Sequence, residues 1–459
     1  MFALQRQTHK QPVLAETYSR TVPDTRVAVQ APVHLHWLDS VTLHGIFGLL
    51  MFGPLAFGAV ESWSLLIVEL GAVLLFLLWA VRQTISGEPL ITTNPLFLPM
   101  ASFAALIFVQ IAIGATAYTY VTRSHALLYT AYGLLVFLVV QCVRRTSQVS
   151  ALAFMISAYG FVLAMFALLQ GLSSNGKLYW VRTPQWGGWI YGPYVNHNHY
   201  AGLMEMLTPI PLVFSLTRYA HGARKTLAAV SAAMMAGTIF LSGSRGGMAA
   251  FMVQMTVLAV IVATQKKHKS AFAQVIFWVI VCAVLVWLGG AELTRRVLSV
   301  QTEAQAELSG GTRMEIYHDA FQMFKNRPIL GWGLGTFPTV YPQFGSFYTT
   351  FFVNATHNDY LQLLTEMGGL GFAVMLWFMV IVYRNAIRKL KDWPSTVDGP
   401  VALAATLGCT GIVVHSFVDF NLQIPANAAL FYTFCALAAM EPRFRTFRGS
   451  TCAASLETL

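Results

Sequence analysis

Apolar runs long enough to cross a hydrocarbon core of about 30 Å recur along almost the whole chain, separated by short polar breaks. They fall at 41–60, 63–81, 96–114, 126–143, 149–170, 200–217, 226–242, 247–264, 271–290, 361–383, 401–418 and 424–440. The pattern predicts an all-α polytopic membrane protein of about twelve transmembrane helices. Two windows are weaker members: 226–242 is short and rich in Ala, Met and Gly, and 401–418 stops beside Asp419. The chain then divides into a polar tail at 1–40, helices one to nine over 41–290, and a large outer loop with short helices at 291–360. Helices ten to twelve over 361–440 and a tail at 441–459 complete it.

Composition supports that class. Of 459 residues, 56% are apolar and 10% charged, against about 25% charged in soluble domains. A net charge of +10 would suit nucleic acid if gathered on one face, but Lys and Arg lie in short clusters between apolar runs. The expected surroundings are a lipid bilayer, with no nucleic-acid partner. With the N-terminus cytoplasmic, most of the 29 Lys and Arg fall inside, as the positive-inside rule asks. Arg123, Lys177, Arg182, Arg245, Arg295, Arg296, Arg313, Lys325 and Arg327 are the exceptions. Translocation of a long loop accounts for positions 295, 296, 325 and 327. Both tails are expected in the cytoplasm, and residues 1–40 show no apolar stretch with a cleavage site, so the first helix reads as an uncleaved anchor. Cys142, Cys282, Cys409, Cys435 and Cys452 have no CxxC spacing and read as core residues rather than metal ligands.

Polar residues suited to chemistry collect on the outer side. An outer loop at 171–199 carries Tyr179, Trp180, Trp186, Trp189, Tyr191 and Tyr194 and ends in Asn196-His197-Asn198-His199. It reads either as an interfacial aromatic belt or as a carbohydrate platform of flat rings and directional donors. Ser242-Gly243-Ser244-Arg245-Gly246-Gly247 puts a guanidinium at the start of a helix, suited to phosphate oxygens or to snorkelling among headgroups. In the loop at 291–360, Met314, Tyr317, Phe321 and Phe324 predict a surface helix over 313–325, with Thr312 as N-cap and Glu315 completing a capping box. Gly331-Trp332-Gly333-Leu334-Gly335 follows as a permissive turn. His357 stands at the lip of the next apolar helix, with Asn358 and Asp359 beside it. It reads as a base, as a helix-start histidine bonded to backbone, or as second to Asp359. His318 and His415 read as structural, and Glu69, Glu205 and Glu366 each require a polar partner inside the membrane.

The combination of Asn196-His197-Asn198-His199-Tyr200-Ala201, Ser242-Gly243-Ser244-Arg245-Gly246, Arg313, Gly331-Trp332-Gly333-Leu334-Gly335 and His357-Asn358 resembles the bacterial O-antigen ligase and polymerase superfamily. Ligases of this family carry His, then Asn, Ser or Gln, nine residues, then Gly-x-x-Gly/Thr/Tyr; here His357-Asn358 is followed by nine residues and Gly368-Gly369-Leu370-Gly371. The resemblance implies an inner-membrane glycosyltransferase with its site at the periplasmic face. Its donor would be an undecaprenyl-diphosphate-linked glycan, and its acceptor a lipid A-core hydroxyl or a growing polysaccharide. It makes His357 the catalytic base and Arg245 and Arg313 the diphosphate ligands. Asn196, His197, Asn198, His199, Asn358 and Asp359 are then candidates for glycan or acceptor contact.

The implied chemistry is self-consistent. Two arginines clamp the charge of a departing diphosphate, and a neutral imidazole takes the acceptor proton. No metal or other cofactor is called for, and direct attack inverts the anomeric centre. A polymerase extending undecaprenyl-diphosphate-linked repeats is the sibling alternative. A polysaccharide or lipid flippase is the alternative of another class, and it fits less well. Transporters place ligand groups near the midplane of repeated halves, whereas the polar groups here gather at one face.

Overall fold

Backbone amides in lipid must be satisfied within their own segment, so apolar windows become helices. In the computed structural model, residues 36–87, 91–143, 146–184, 189–217, 222–264, 310–348, 352–390, 393 and 398–440 are described. Every predicted window among them is helical: α1 (His36–Leu55), α2 (Ser62–Ser86), α3 (Phe97–Ala112), α4 (Thr119–Cys142), α5 (Thr146–Leu172), α6 (His197–Leu207), α7 (Pro209–Leu216), α8 (Ala223–Leu241), α9 (Arg245–Thr264), α11 (Asp359–Leu390), α12 (Asp398–His415) and α13 (Pro425–Ala439). A separate helix, α10 (Gly310–Asn326), precedes α11. The window at 271–290, Arg295, Arg296, Trp186, Cys282, Cys452, residues 1–35 and the tail at 441–459 lie outside the described residues.

Six of these helices are long and apolar enough to cross a membrane, within α1, α2, α4, α5, α9 and α11; α3, α12 and α13 are shorter apolar helices. The expected single span at 200–217 is two helices. Pro209 has no N–H to give the carbonyl of Glu205, and Gln254 Nε2 from α9 donates to that oxygen instead, at 2.9 Å. α2 shows how the outer wall is made. Leu66, Leu70, Leu74, Leu77, Val81 and Ile85 are exposed at helical spacing, while Ser64, Val68, Ala72, Trp79 and Arg82 face inward. Such an apolar stripe fits lipid rather than water. Arg82 Nε reaches Asp39 of α1 at 2.9 Å.

α12 and α13 form the centre of the bundle and are buried nearly all round, including Ala402–Leu407 and Ala428–Phe431. Close approach is bought with small residues: a Cβ at Gly408 would come within 2.8 Å of Phe434. Cys409 and Cys435 pack sulfur to sulfur at 3.6 Å, free and buried, as expected of core thiols.

α11 is broken at Gly368, whose backbone is at φ 65° and ψ −170°. The break receives the loop before it. Trp332 N and Gly333 N donate to the carbonyls of Thr365 and Glu366, both at 2.9 Å, and Gly369 N donates to Pro328 O at 2.7 Å. A Cβ at Gly368 would overlap Ile329 O. The Glu366 carboxylate accepts from Gly335 N at 2.7 Å, Phe337 N at 3.3 Å and Gln362 Nε2 at 3.2 Å. The permissive turn at 331–335 is therefore a plug for the α11 break, with Gly331, Gly333 and Gly335 all at positive φ.

α10 starts at Gly310, so Thr312 lies inside the helix and not at its N-cap. Its buried face is Ile316, Ala320 and Met323, packed on Phe337, Val340 and Tyr341, while Met314 and Phe321 are exposed. The larger side chains define the expected stripe. The helix buries the smaller set one register over, because Phe337 and Tyr341 already fill the space.

In the 171–199 loop most rings are turned inward. Tyr179 donates to Leu55 O at 2.6 Å, and Trp180 Nε1 donates to Ser173 O at 3.1 Å. Tyr191 and Tyr194 are buried, with Tyr194 donating to Asn427 Oδ1 at 2.8 Å. These four rings are core and anchor residues rather than an open platform. Trp189, half-buried, stacks on His197 at 4.7 Å.

Candidate functional site

The turn between α12 and α13 carries Asp419, which is 1% exposed. Its Oδ1 faces His357 Nδ1 at 3.8 Å and His199 Nε2 at 3.9 Å, and its Oδ2 faces His415 Nε2 at 4.0 Å. These separations are too long for hydrogen bonds and act through charge. The Phe420 ring stands between the two outer imidazoles, 4.7 Å from His199 and 4.8 Å from His357, close to perpendicular to each. Burial pushes the Asp419 carboxyl up, but His357, His199 and His415 on its flanks outweigh burial and hold it well below the usual carboxylate range.

His357 is placed by its neighbours in sequence. It sits at φ 54°, an uncommon conformation for a residue with a side chain. Tyr317 of α10 donates to its carbonyl at 2.8 Å. Next, Asn358 Oδ1 accepts from Leu361 N at 3.0 Å, capping α11. The imidazole is nearly enclosed, and its Nδ1 is buried without a hydrogen-bond partner, on the side of Asp419.

Asp359, expected to touch glycan or to rival His357, is 5% exposed and turned inward. It accepts from Ser416 Oγ at 2.8 Å, Leu422 N at 3.2 Å and Gln423 Nε2 at 3.4 Å. Its own N–H donates to Ser416 O at 3.0 Å, and Asn358 Nδ2 donates to Phe417 O at 3.1 Å. Together they clamp the turn that carries Asp419.

Both expected arginines border the same turn. Arg313 Nη1, on α10, donates to Val418 O at 3.4 Å. Arg245 is the exposed first residue of α9, where Ser244 Oγ accepts from Gly247 N at 3.1 Å and caps the helix. The neighbouring Gly246 lies flat against the turn: a Cβ there would come within 2.8 Å of both His415 and Val418. His197 Nδ1 bonds Ser242 O at 2.9 Å and so supports the Arg245 turn from the other side. Asn196 Oδ1 accepts from Asn198 N at 2.8 Å, capping α6, and Asn198 itself is buried.

Of the nine expected site residues, His199, Arg245, Arg313, His357, Asn358 and Asp359 are thus brought around one turn. Sequence reasoning missed its centre, Asp419, and set His415 aside. The available signal was a lone carboxylate ending an apolar window, four residues after a histidine. Glu205, in need of a partner, finds His415 Nδ1 at 2.9 Å.

A polytopic helical protein with a histidine–carboxylate cluster at one end of its bundle, bordered by two arginines, is the class these observations define. A family model described as O-antigen ligase matches residues 230–393, from α8 through Arg245, Arg313 and His357 to beyond α11. The match over this stretch bears out the resemblance drawn from the motifs. His199 and Asp419 lie outside the matched stretch. No curated protein matches the chain.

Proposed function

We propose that the protein is an inner-membrane glycosyltransferase of the O-antigen ligase type. It moves a glycan from an undecaprenyl-diphosphate carrier to a hydroxyl of a lipid A-core acceptor at the periplasmic face. The observation that supports this is His357, whose buried Nδ1 faces the Asp419 carboxylate at 3.8 Å on a turn that Arg313 also contacts.

The acceptor oxygen attacks the anomeric carbon and its proton passes to His357 Nε2. The bond from that carbon to the phosphate oxygen breaks, and its electron pair leaves with the diphosphate. Asp419, facing the ring at 3.8 Å, stabilises the imidazolium through its charge. Arg245 and Arg313 take up the charge developing on the leaving group. Attack from the face opposite the diphosphate inverts the configuration. His199 shares Asp419 with His357 and lines the acceptor side. Asn196, Asn358 and Asp359 serve through caps and clamps rather than by touching glycan.

The test is transfer by purified protein in nanodiscs, from a synthetic undecaprenyl-diphosphate oligosaccharide with and without rough lipopolysaccharide, products being resolved by mass. Glycan on the core lipid alone is the expected result. A ladder on the carrier would make the enzyme a polymerase, and no transfer to either would reopen the flippase reading.

A further inference from the structure

Behind the site lies a second buried pair that the transfer step does not use. Glu205 of α6 and His415 of α12 are 0% and 1% exposed. They are held tightly: a Cβ at Gly247 would come within 3.0 Å of Glu205 Oε1, and one at Gly246 within 2.8 Å of the His415 ring. A carboxylate and an imidazole this deep are unfavourable to bury unless they serve each other or something beyond.

The geometry says which. His415 Nδ1 contacts Glu205 at 2.9 Å, and its Nε2 faces Asp419 Oδ2 at 4.0 Å. A neutral ring donating to Glu205 would turn a bare lone pair toward the Asp419 carboxylate. A doubly protonated ring turns an N–H toward each carboxylate. On the outward side, Asp419 Oδ1 accepts from Phe420 N at 2.8 Å and faces His199 and His357. Carboxylate, imidazolium, carboxylate and catalytic imidazole thus follow one another from the bundle core to the surface.

We propose that Glu205 is a positioning residue for the transfer, acting through His415: it holds His415 as an imidazolium that orients Asp419 and moderates its pull on His357. This rests on His357 being the base. The charged and titratable groups around this series are Asp419 on the turn, His199 on α6, Asp359 on α11, and Arg313 and Tyr317 on α10, with Arg245 exposed at the start of α9. Without Glu205, His415 gives up its proton. Asp419 then favours the His357 imidazolium more strongly, and a higher pH is needed to free the base.

The test compares wild type, Glu205→Gln, His415→Gln, the double variant and His357→Ala in nanodiscs, with the synthetic donor and rough lipopolysaccharide. The amide introduced by Glu205→Gln can still accept from His415, which protects the fold; melting temperature checks this. Expected for Glu205→Gln is a kcat about a hundredfold lower, the scale of a misplaced catalytic group, with an unchanged donor KM. The acid limb of the rate profile moves to higher pH, and the double variant is no slower than the slower single variant. Wild-type kcat with an unmoved acid limb in Glu205→Gln, while His357→Ala is inactive, overturns the proposal. Activity in His357→Ala would instead overturn the reading on which it rests.

Discussion

A base is useful only if the nitrogen that meets the acceptor lacks the proton, and in the proposed transfer His357 keeps its proton on Nδ1, toward Asp419. Replacement of His357 by Ala should lower transfer by about 100- to 10,000-fold, the range of general acid–base catalysis, with little change in melting temperature. Asp359→Ala should do the reverse in emphasis. It strips a buried acceptor from Ser416, Leu422 and Gln423 and should lower stability by roughly 2–4 kcal/mol, read by thermal melting. Asp419 also has a signature in pH. Its folded pKa lies below its ordinary 3.8, so the stability it contributes is present above that value and lost as pH falls through the folded one. Wild type should therefore melt above Asp419→Asn throughout pH 5–8, the gap closing only below about pH 4. At this scale motif spacing leads to His357 and the two arginines, which the fold places around one turn. Spacing is silent on Asp419, which meets His357 only because α12 and α13 fold back beside α11.

At the scale of the element, glycines decide whether the helices can meet. Gly368 gives α11 a break into which the 328–335 segment fits. Gly368→Ala combines a forbidden approach to Ile329 O with a positive φ and should destabilise by about 3 kcal/mol or more, seen as reduced yield and melting temperature. Gly246→Ala drives a methyl against His415 and Val418. It should cost activity before stability, because the group displaced belongs to the site. Helix positions were legible from apolar length alone, since lipid forces backbone groups to pair locally. Faces were not: the buried side of α10 depends on Phe337 and Tyr341, and the fate of Tyr191 and Tyr194 on Asn427 and the bundle behind them. Local pattern carries no record of either.

At the scale of the molecule, α12 and α13 are a buried axis, and α2 turns its leucines outward. Leu70→Arg should lower stability in nanodiscs by about 2–3 kcal/mol if the residue lies at bilayer depth, whereas a water-facing helix would tolerate it. The bundle brings α6, α9, α10, α11 and α12 together at the Asp419 turn, joining residues from sequence positions as far apart as 199 and 419. This turn is proposed to support glycan transfer by His357. The most direct test is side-by-side transfer from a synthetic undecaprenyl-diphosphate oligosaccharide by wild type and His357→Ala, matched for folding and read by product mass. Glycan moved by wild type and not by the variant is the predicted result; equal transfer by both would contradict it.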